Sequence, residues 1–178
     1  MTALGEISNT LCSISHAAAV VADRPTVLIL RELALGVRRF DEIQSQTALP
    51  PSLLSNRLKT LRARGIIERR PYQLRPPRHE YHVTAKGRDL DAVLLSLRAW
   101  GSRWSEVADA PPAIQLTHKE TGRSLEGALP DGEHLTDYDI VLSPAFAEER
   151  RLRQTSSGFG KSQGSHPRSS ARAAAPDT

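Results

Sequence analysis

Ser52, Ser55, Asn56 and Lys59 fall within one short stretch, PSLLSNRLK. Their side chains end in hydroxyl, carboxamide and ammonium groups. Hydroxyls and carboxamides hydrogen-bond to the edges of nucleobases, and an ammonium reaches guanine or a phosphate. A second set follows at once. Arg75 and Arg78 flank Pro76 and Pro77 in LRPPR, and Arg69 and Arg70 precede them in IERRPYQ. Guanidinium groups held on a stiff bend suit a phosphate backbone or a minor groove. Taken singly, each set reads better as a solvated surface.

Other reactive side chains make weaker patterns. Cys12 is the single cysteine, so no internal disulfide forms, as suits a reducing cytosol. As a redox sensor it needs exposure and a depressed pKa, which a helix N-terminus favours. The competing role is a small, partly buried residue. His118 and His134 alone do not make a tetrahedral zinc site, so no structural metal and no cofactor is expected. The carboxylates of residues 120–139 read as a solvated acidic surface. GFGKS (158–162) imitates the end of a phosphate-binding loop, but Thr155 stands where its first glycine belongs and no strand precedes it. With no metal-binding helix motif, Cys-x-x-Cys pair or nucleophile elbow, an enzyme is not expected.

The elements that must carry the two basic sets are legible. Residues 13–22, SISHAAAVVA, form an Ala-rich helix. Asp23 caps a second, largely apolar helix that Gly36 ends, with Pro25 in its first turn. A β-branched start leaves a strand as the lesser alternative there. Phe40 and Ile43 support a short helix over residues 39–47. After the turn ALPP, Leu54, Leu58 and Leu61 fall at i, i+4 and i+7 and stop at Gly65. Two helices joined by a tight turn make a helix-turn-helix. On a helical wheel Leu58 and Leu61 lie within about 40° of Leu54. Ser52, Asn56 and Lys59 stand opposite, flanked by Ser55, Thr60 and Ala63. Leu53 is at the border, positioned to touch a thymine methyl. Arg57 lies nearer the core, to reach a phosphate or brace the fold. Strands over 66–73 and 79–84 enclose the Arg-Pro bend, and alternation puts only one of Arg69 and Arg70 on the nucleic-acid side.

Thr84 can cap a helix of about 20 residues, some 30 Å long, over 85–104. Its stripe is Leu90, Val93, Leu94, Leu97, Trp100 and Trp104. That face is wide enough to need a partner helix. Beyond the linker ADAPPA, the stretches IQLTH, SLEGAL and YDIVL suggest a small strand-rich appendage. From about Gln154 a Ser/Gly/Arg/Ala/Pro tail reads as disordered.

Charge sharpens the reading. The net charge is +4 and the pI about 9.6. Residues 57–88 hold ten basic and two acidic residues, whereas residues 101–149 hold three and ten. One block is built to meet negative charge. No apolar run has the length of a membrane span, and the N-terminus lacks a signal-peptide pattern.

In order and spacing the chain resembles the HxlR-type winged helix-turn-helix regulators from about Cys12 to Trp104. The carrying residues are CSI, DRPTVLILRELALGVRRFDEIQ, LLSNRLKTLRARGIIERR, PPRHEYHVTAKGRDL and WGSRW. The resemblance implies a cytosolic homodimer, joined through helices 13–22 and 85–104, that binds double-stranded DNA at a dyad-symmetric operator. It also implies that Cys12 matches a cysteine with which some members sense oxidants. Family members usually carry Trp where Pro25 stands and often Ser where Pro50 stands. The second departure removes a side-chain cap worth about 1 kcal/mol.

The expected class is therefore α+β, mainly α. A winged helix-turn-helix domain (1–106) precedes an acidic β-rich appendage (107–153), facing away from DNA, and a basic tail (154–178). The expected function is a DNA-binding regulator, with Ser52, Leu53, Ser55, Asn56, Arg57, Lys59, Arg69, Arg70, Arg75 and Arg78 on DNA. The alternatives are a winged-helix protein-interaction module working through the appendage, and a regulator answering to a thiol or small-molecule effector.

Overall fold

A computed structural model describes residues 12–104 and 112–156. It divides into two compact units, Met1–Thr84 and Ala85–Thr178.

The first unit runs α1 (Ser13–Val21), α2 (Arg24–Ala34), α3 (Phe40–Thr47), α4 (Pro51–Ala63), β1 (Ile67–Leu74) and β2 (Pro77–Val83). The strand alternative for residues 23–36 gives way to a helix because the cap is strong. The Asp23 carboxylate accepts from the Thr26 N–H at 3.0 Å and from its hydroxyl at 2.8 Å. Ile29, Leu30 and Leu33 of α2 are buried with Ile43 of α3, Leu54, Leu58 and Leu61 of α4, and Ile66 and Ile67. At the end of α4, Gly65 takes φ 69°. That left-handed residue lets the Ile66 N–H reach the Leu61 carbonyl at 3.0 Å, and the chain turns directly into β1. Between α3 and α4, Ala48 takes φ 53°, an uncommon conformation for a residue with a Cβ. As the Pro50 departure implies, no side chain caps α4.

β1 and β2 pair antiparallel from Ile67 with Val83 to Leu74 with Pro77. The hairpin is thus longer than the sequence suggested, and the turn shrinks to Arg75 and Pro76. Pro77 fits the last pair because an edge strand does not need its missing N–H. The Tyr81 N–H donates to the Arg38 carbonyl at 2.9 Å, anchoring the hairpin ahead of α3. Thr84 closes its base by donating to the Gly65 and Ile66 carbonyls at 2.7 and 3.1 Å.

The second unit corrects three expectations. The long helix over 85–104 is interrupted: α5 (Ala85–Arg88) and α6 (Asp91–Trp104) are separated by a turn. There the Leu90 N–H bonds to the Gly87 carbonyl at 3.1 Å, a tightened spacing that re-aims the chain before α6 starts. Of the three stretches read as strands, IQLTH is β3 (Ile114–His118) and YDIVL is β4 (Tyr138–Leu142), paired antiparallel. SLEGAL is not a strand; only Ser124 makes a single bridge, to Thr117. Finally, the unit ends in an unforeseen helix, α7 (Pro144–Ser156), which takes in the start of the segment read as disordered. Ser143 caps it by accepting from the Phe146 N–H at 3.3 Å, with Pro144 in the first turn. The remainder of that tail and GFGKS lie outside the described residues.

Leu95, Leu116, Leu125, Leu135 and Tyr138 are buried. The Arg98 guanidinium donates to the Ile114 carbonyl at 2.7 Å and ties α6 to β3. This grouping puts α5 and α6 with the C-terminal segment, whereas the expected first domain reached residue 106.

Candidate nucleic-acid interface

The α4 helix sorts its residues as the wheel requires. Leu54, Leu58 and Leu61 are buried; Ser52, Ser55, Asn56, Lys59 and Ala63 are exposed; Leu53, Arg57 and Thr60 are half-buried. Thr60 turns its hydroxyl back to the Asn56 backbone carbonyl at 3.1 Å, and Asn56 itself is exposed. The exposed set is short and polar, and the core leucines fix its azimuth.

The arginines divide by partner. Arg57 lies 3.5 Å from Asp23, so it is held against the residue that caps α2. Arg70 donates through Nε to Glu68 at 2.9 Å on the same face of β1. Arg69, on the other face, contacts Nδ1 of His79 at 2.8 Å and lines a groove with Ser55, Lys59, Arg62 and Tyr81. The alternation read from the sequence thus separates Arg69 from Arg70. Arg75 and Arg78 are exposed at the tip, with no side-chain partner among the described residues. The Gln73 amide braces the turn by donating to the Arg75 carbonyl at 3.0 Å.

Sequence reasoning missed three residues at this surface. Arg62 is exposed one turn beyond Lys59, and its i+3 and i+7 spacing from Lys59 and Ser55 was available. Tyr81 fell within the strand expected over 79–84 and was given no role at this surface. Leu74, beside the tip, is 79% exposed, an apolar group among cations.

The stripe expected to meet a partner helix stays largely uncovered. Val93, Leu97, Trp100 and Trp104 are 42, 48, 67 and 69% exposed, and Leu90 and Leu94 are half-buried. Leu95 and Asp91, outside that stripe, are the buried residues of α6. On α1 no residue is buried, and Ile14 is 77% exposed.

Cys12 is exposed at the N-cap of α1. Hydrogen bonding to the Ser15 N–H, the Ser15 hydroxyl and the Ile14 N–H lowers its thiol pKa below the usual value. His118 accepts from the Glu120 and Thr121 N–H groups at 3.3 Å and stands edge-on to Tyr138. These contacts give it a turn-forming role.

Residues 20–110 match the HxlR-like helix-turn-helix family. The HTH-type transcriptional regulator Rv3095 of Mycobacterium tuberculosis, itself uncharacterized, is 37% identical over 143 residues, covering 79% of this chain and 90% of its own. The chain belongs to the HxlR-like helix-turn-helix family. The HTH-type transcriptional regulator YodB of Bacillus subtilis is 31% identical over 105 residues, 58% of this chain and 94% of its own. Among solved structures, PA1607, a candidate transcription factor, superimposes with TM-score 0.61 at 26% identity, over 70% of this chain and 87% of that one. The redox regulator HypR in its reduced form does so with TM-score 0.51 at 25% identity, over 55% and 98%. This HxlR-like chain is a DNA-binding transcriptional regulator with a winged helix-turn-helix fold and small antiparallel sheets. None of its described helices is long and apolar enough to cross a membrane.

Proposed function

We propose that the protein is a cytoplasmic homodimeric repressor that reads a dyad-symmetric operator. The observation that carries this is the exposed polar face of α4 beside a hairpin tipped by unpaired arginines. Ser52, Ser55, Asn56 and Lys59 read base edges in the major groove, and Leu53 touches a thymine methyl. Arg75 and Arg78 hold the backbone or enter the minor groove, with Arg69 at the wing's base and Arg70 behind it. Arg57 supports α4 through Asp23 and reaches a phosphate only when that pair opens. The exposed stripe of α6 joins two copies, so that two reading helices meet half-sites about one DNA turn apart. In domain terms, residues 1–106 bind DNA and dimerise, the acidic segment 107–153 faces away from the duplex, and 154–178 is a tail.

The deciding experiment titrates the full chain against DNA from upstream of its own gene, with a shuffled duplex as control, over several salt concentrations. Preference for the native DNA, with affinity falling linearly in log salt, supports the reading. Absence of binding at low salt removes it and favours a protein-interaction module.

A second reading adds redox control. The exposed Cys12 thiol with its lowered pKa meets both chemical requirements for oxidation, and HypR is named a redox regulator. Peroxide or diamide should then change operator affinity in the wild type and leave Cys12→Ser unaffected. An equal response in both proteins rules Cys12 out as the sensor.

A further inference from the structure

Between α4 and the hairpin lies an open cavity of about 270 Å³, lined by Ser55, Leu58, Lys59, Arg62, Arg69 and Tyr81. Three of these residues are cations and none is an acid. Elsewhere in the same unit, structural arginines have anionic partners: Arg31 with Glu32, Arg39 with Glu80, and Arg57 with Asp23. The side chains of Lys59 and Arg62 have no hydrogen-bond or ion-pair partner among the described residues. Arg69 is anchored by His79 Nδ1 at 2.8 Å. Arginine only donates, so His79 Nδ1 is the acceptor in this contact. The contact uses one of five guanidinium donors and leaves the others for a ligand. The volume equals that of about nine waters, room for a hydrated oxyanion.

We propose that this cavity is an oxyanion site that seats a single phosphate, shared by Arg62 and Arg69, at the edge of the base-reading face that carries Ser55 and Lys59. Converging cations that lack carboxylates are the arrangement that multiply charged oxygens satisfy. The phosphate comes from the DNA backbone or from a free phosphate-bearing ion. The DNA source rests on the operator reading and places a backbone contact between the base-reading helix and the wing.

Sharing gives a sharp test. The salt slope counts phosphates neutralised, at about 0.9 each, so removing one contact changes affinity about 3.5-fold less between 50 and 200 mM salt. The slope of operator binding is measured for the wild type, for Arg62→Gln, Arg69→Gln and the double variant, and for Arg151→Gln as a charge control. Two arginines on one phosphate predict that the double variant loses about 0.9, with base preference unchanged. A loss near 1.8 means two separate phosphates and overturns the shared site. In parallel, inorganic phosphate is titrated into the free full chain at constant ionic strength, following the arginine Nε–H resonances by NMR. Phosphate binding that the double variant abolishes, with an unchanged DNA slope, assigns the site to a free ion, and this arm decides even if no operator preference exists. The absence of both a slope change and phosphate binding overturns the proposal. Thermal melts of each variant show that the fold is retained.

Discussion

Trp100→Ala should break the homodimer while leaving each chain folded. The indole is 67% exposed in the single chain, so its removal takes little from the core. A tryptophan buries about 150–250 Å², which leaves roughly 130 Å² uncovered on each copy. A twofold interface uses the residue twice, so about 270 Å² of mostly apolar surface is at stake. At about 25 cal/mol per Å² the ceiling is near 7 kcal/mol. The alanine retains part of the contact, and incomplete coverage removes more, which brings the expected loss to about 3 kcal/mol. That corresponds to a roughly 100-fold rise in the dimer Kd. Sedimentation equilibrium over a range of concentrations reads the Kd, and circular dichroism reads the fold. Trp104→Ala, at 69% exposure, should behave alike. A wild-type protein that stays monomeric, or a Kd that moves less than about threefold in both variants, would refute the α6 interface.

Further predictions concern single positions. Asn56→Ala should weaken binding at particular base positions, by about 1–3 kcal/mol for a bidentate contact, whereas Arg75→Ala should weaken all sequences alike and lower the salt slope by about one. An unchanged base preference in Asn56→Ala, read by random-sequence selection, would show that α4 faces the other way. Ala48→Gly relieves a left-handed backbone at φ 53° and should raise stability by about 0.5–1 kcal/mol in a urea titration, with the glycine's greater unfolded-state freedom already subtracted. Burial raises the Asp91 carboxyl from 3.8 to about 6, against the opposing pull of the Leu135 N–H, His134 and Arg88. A raised folded-state pKa means that its stabilising contribution is complete below 3.8 and is lost as pH rises through about 6. The ceiling is near 3 kcal/mol, which solvent screening reduces to about 1 kcal/mol. Asp91→Asn should therefore flatten the melting profile between pH 3.8 and about 6, whereas an unaltered profile would assign the dependence to other groups.

The first unit was legible because its signals are local and agree. Asp23, Pro25 and Gly36 bound α2 by caps, Gly65 ends α4, and three leucines one turn apart fix which side of α4 is wet. Periodicity also gave the exposed stripe of α6. It could not tell that Leu95 and Asp91 would be the inward residues, since Asp91 bonds to the Leu135 N–H, which lies far along the sequence. The interruption at Leu90 was hidden for a related reason, since the apolar spacing continues through the turn that breaks the helix. The α7 helix, by contrast, had a readable start in Ser143 and Pro144 and acid-before-arginine pairs at Glu148–Arg151 and Glu149–Arg153. Treating the region by overall composition concealed those local cues. The groove residues Arg62 and Tyr81 lie on different elements, and only the hairpin's register with α4 brings them together.

The distribution of ion pairs explains how one small unit can be both rigid and strongly basic. Two of its arginines pair with carboxylates across elements, Arg39 with Glu80 between the α3 entry and β2 and Arg57 with Asp23 between α4 and the α2 cap, while Arg31 pairs with Glu32 within α2. Arg64 performs the same task with a carbonyl, donating to Ala19 of α1 at 2.6 Å. Such partly buried pairs orient the helices more than they stabilise them. Among the described residues no acid pairs with Lys59, Arg62, Arg75 or Arg78, so their charge is left uncompensated. Like charges held close repel one another in the free protein, and an arriving polyanion relieves that repulsion while releasing its own counterions. Replacing Arg78 by glutamate would pair the tip internally and should slow association with DNA more than it hastens dissociation, because the tip acts through the long-range field. Stopped-flow rates at two ionic strengths test this: a change confined to dissociation would mean that the wing works only by contact.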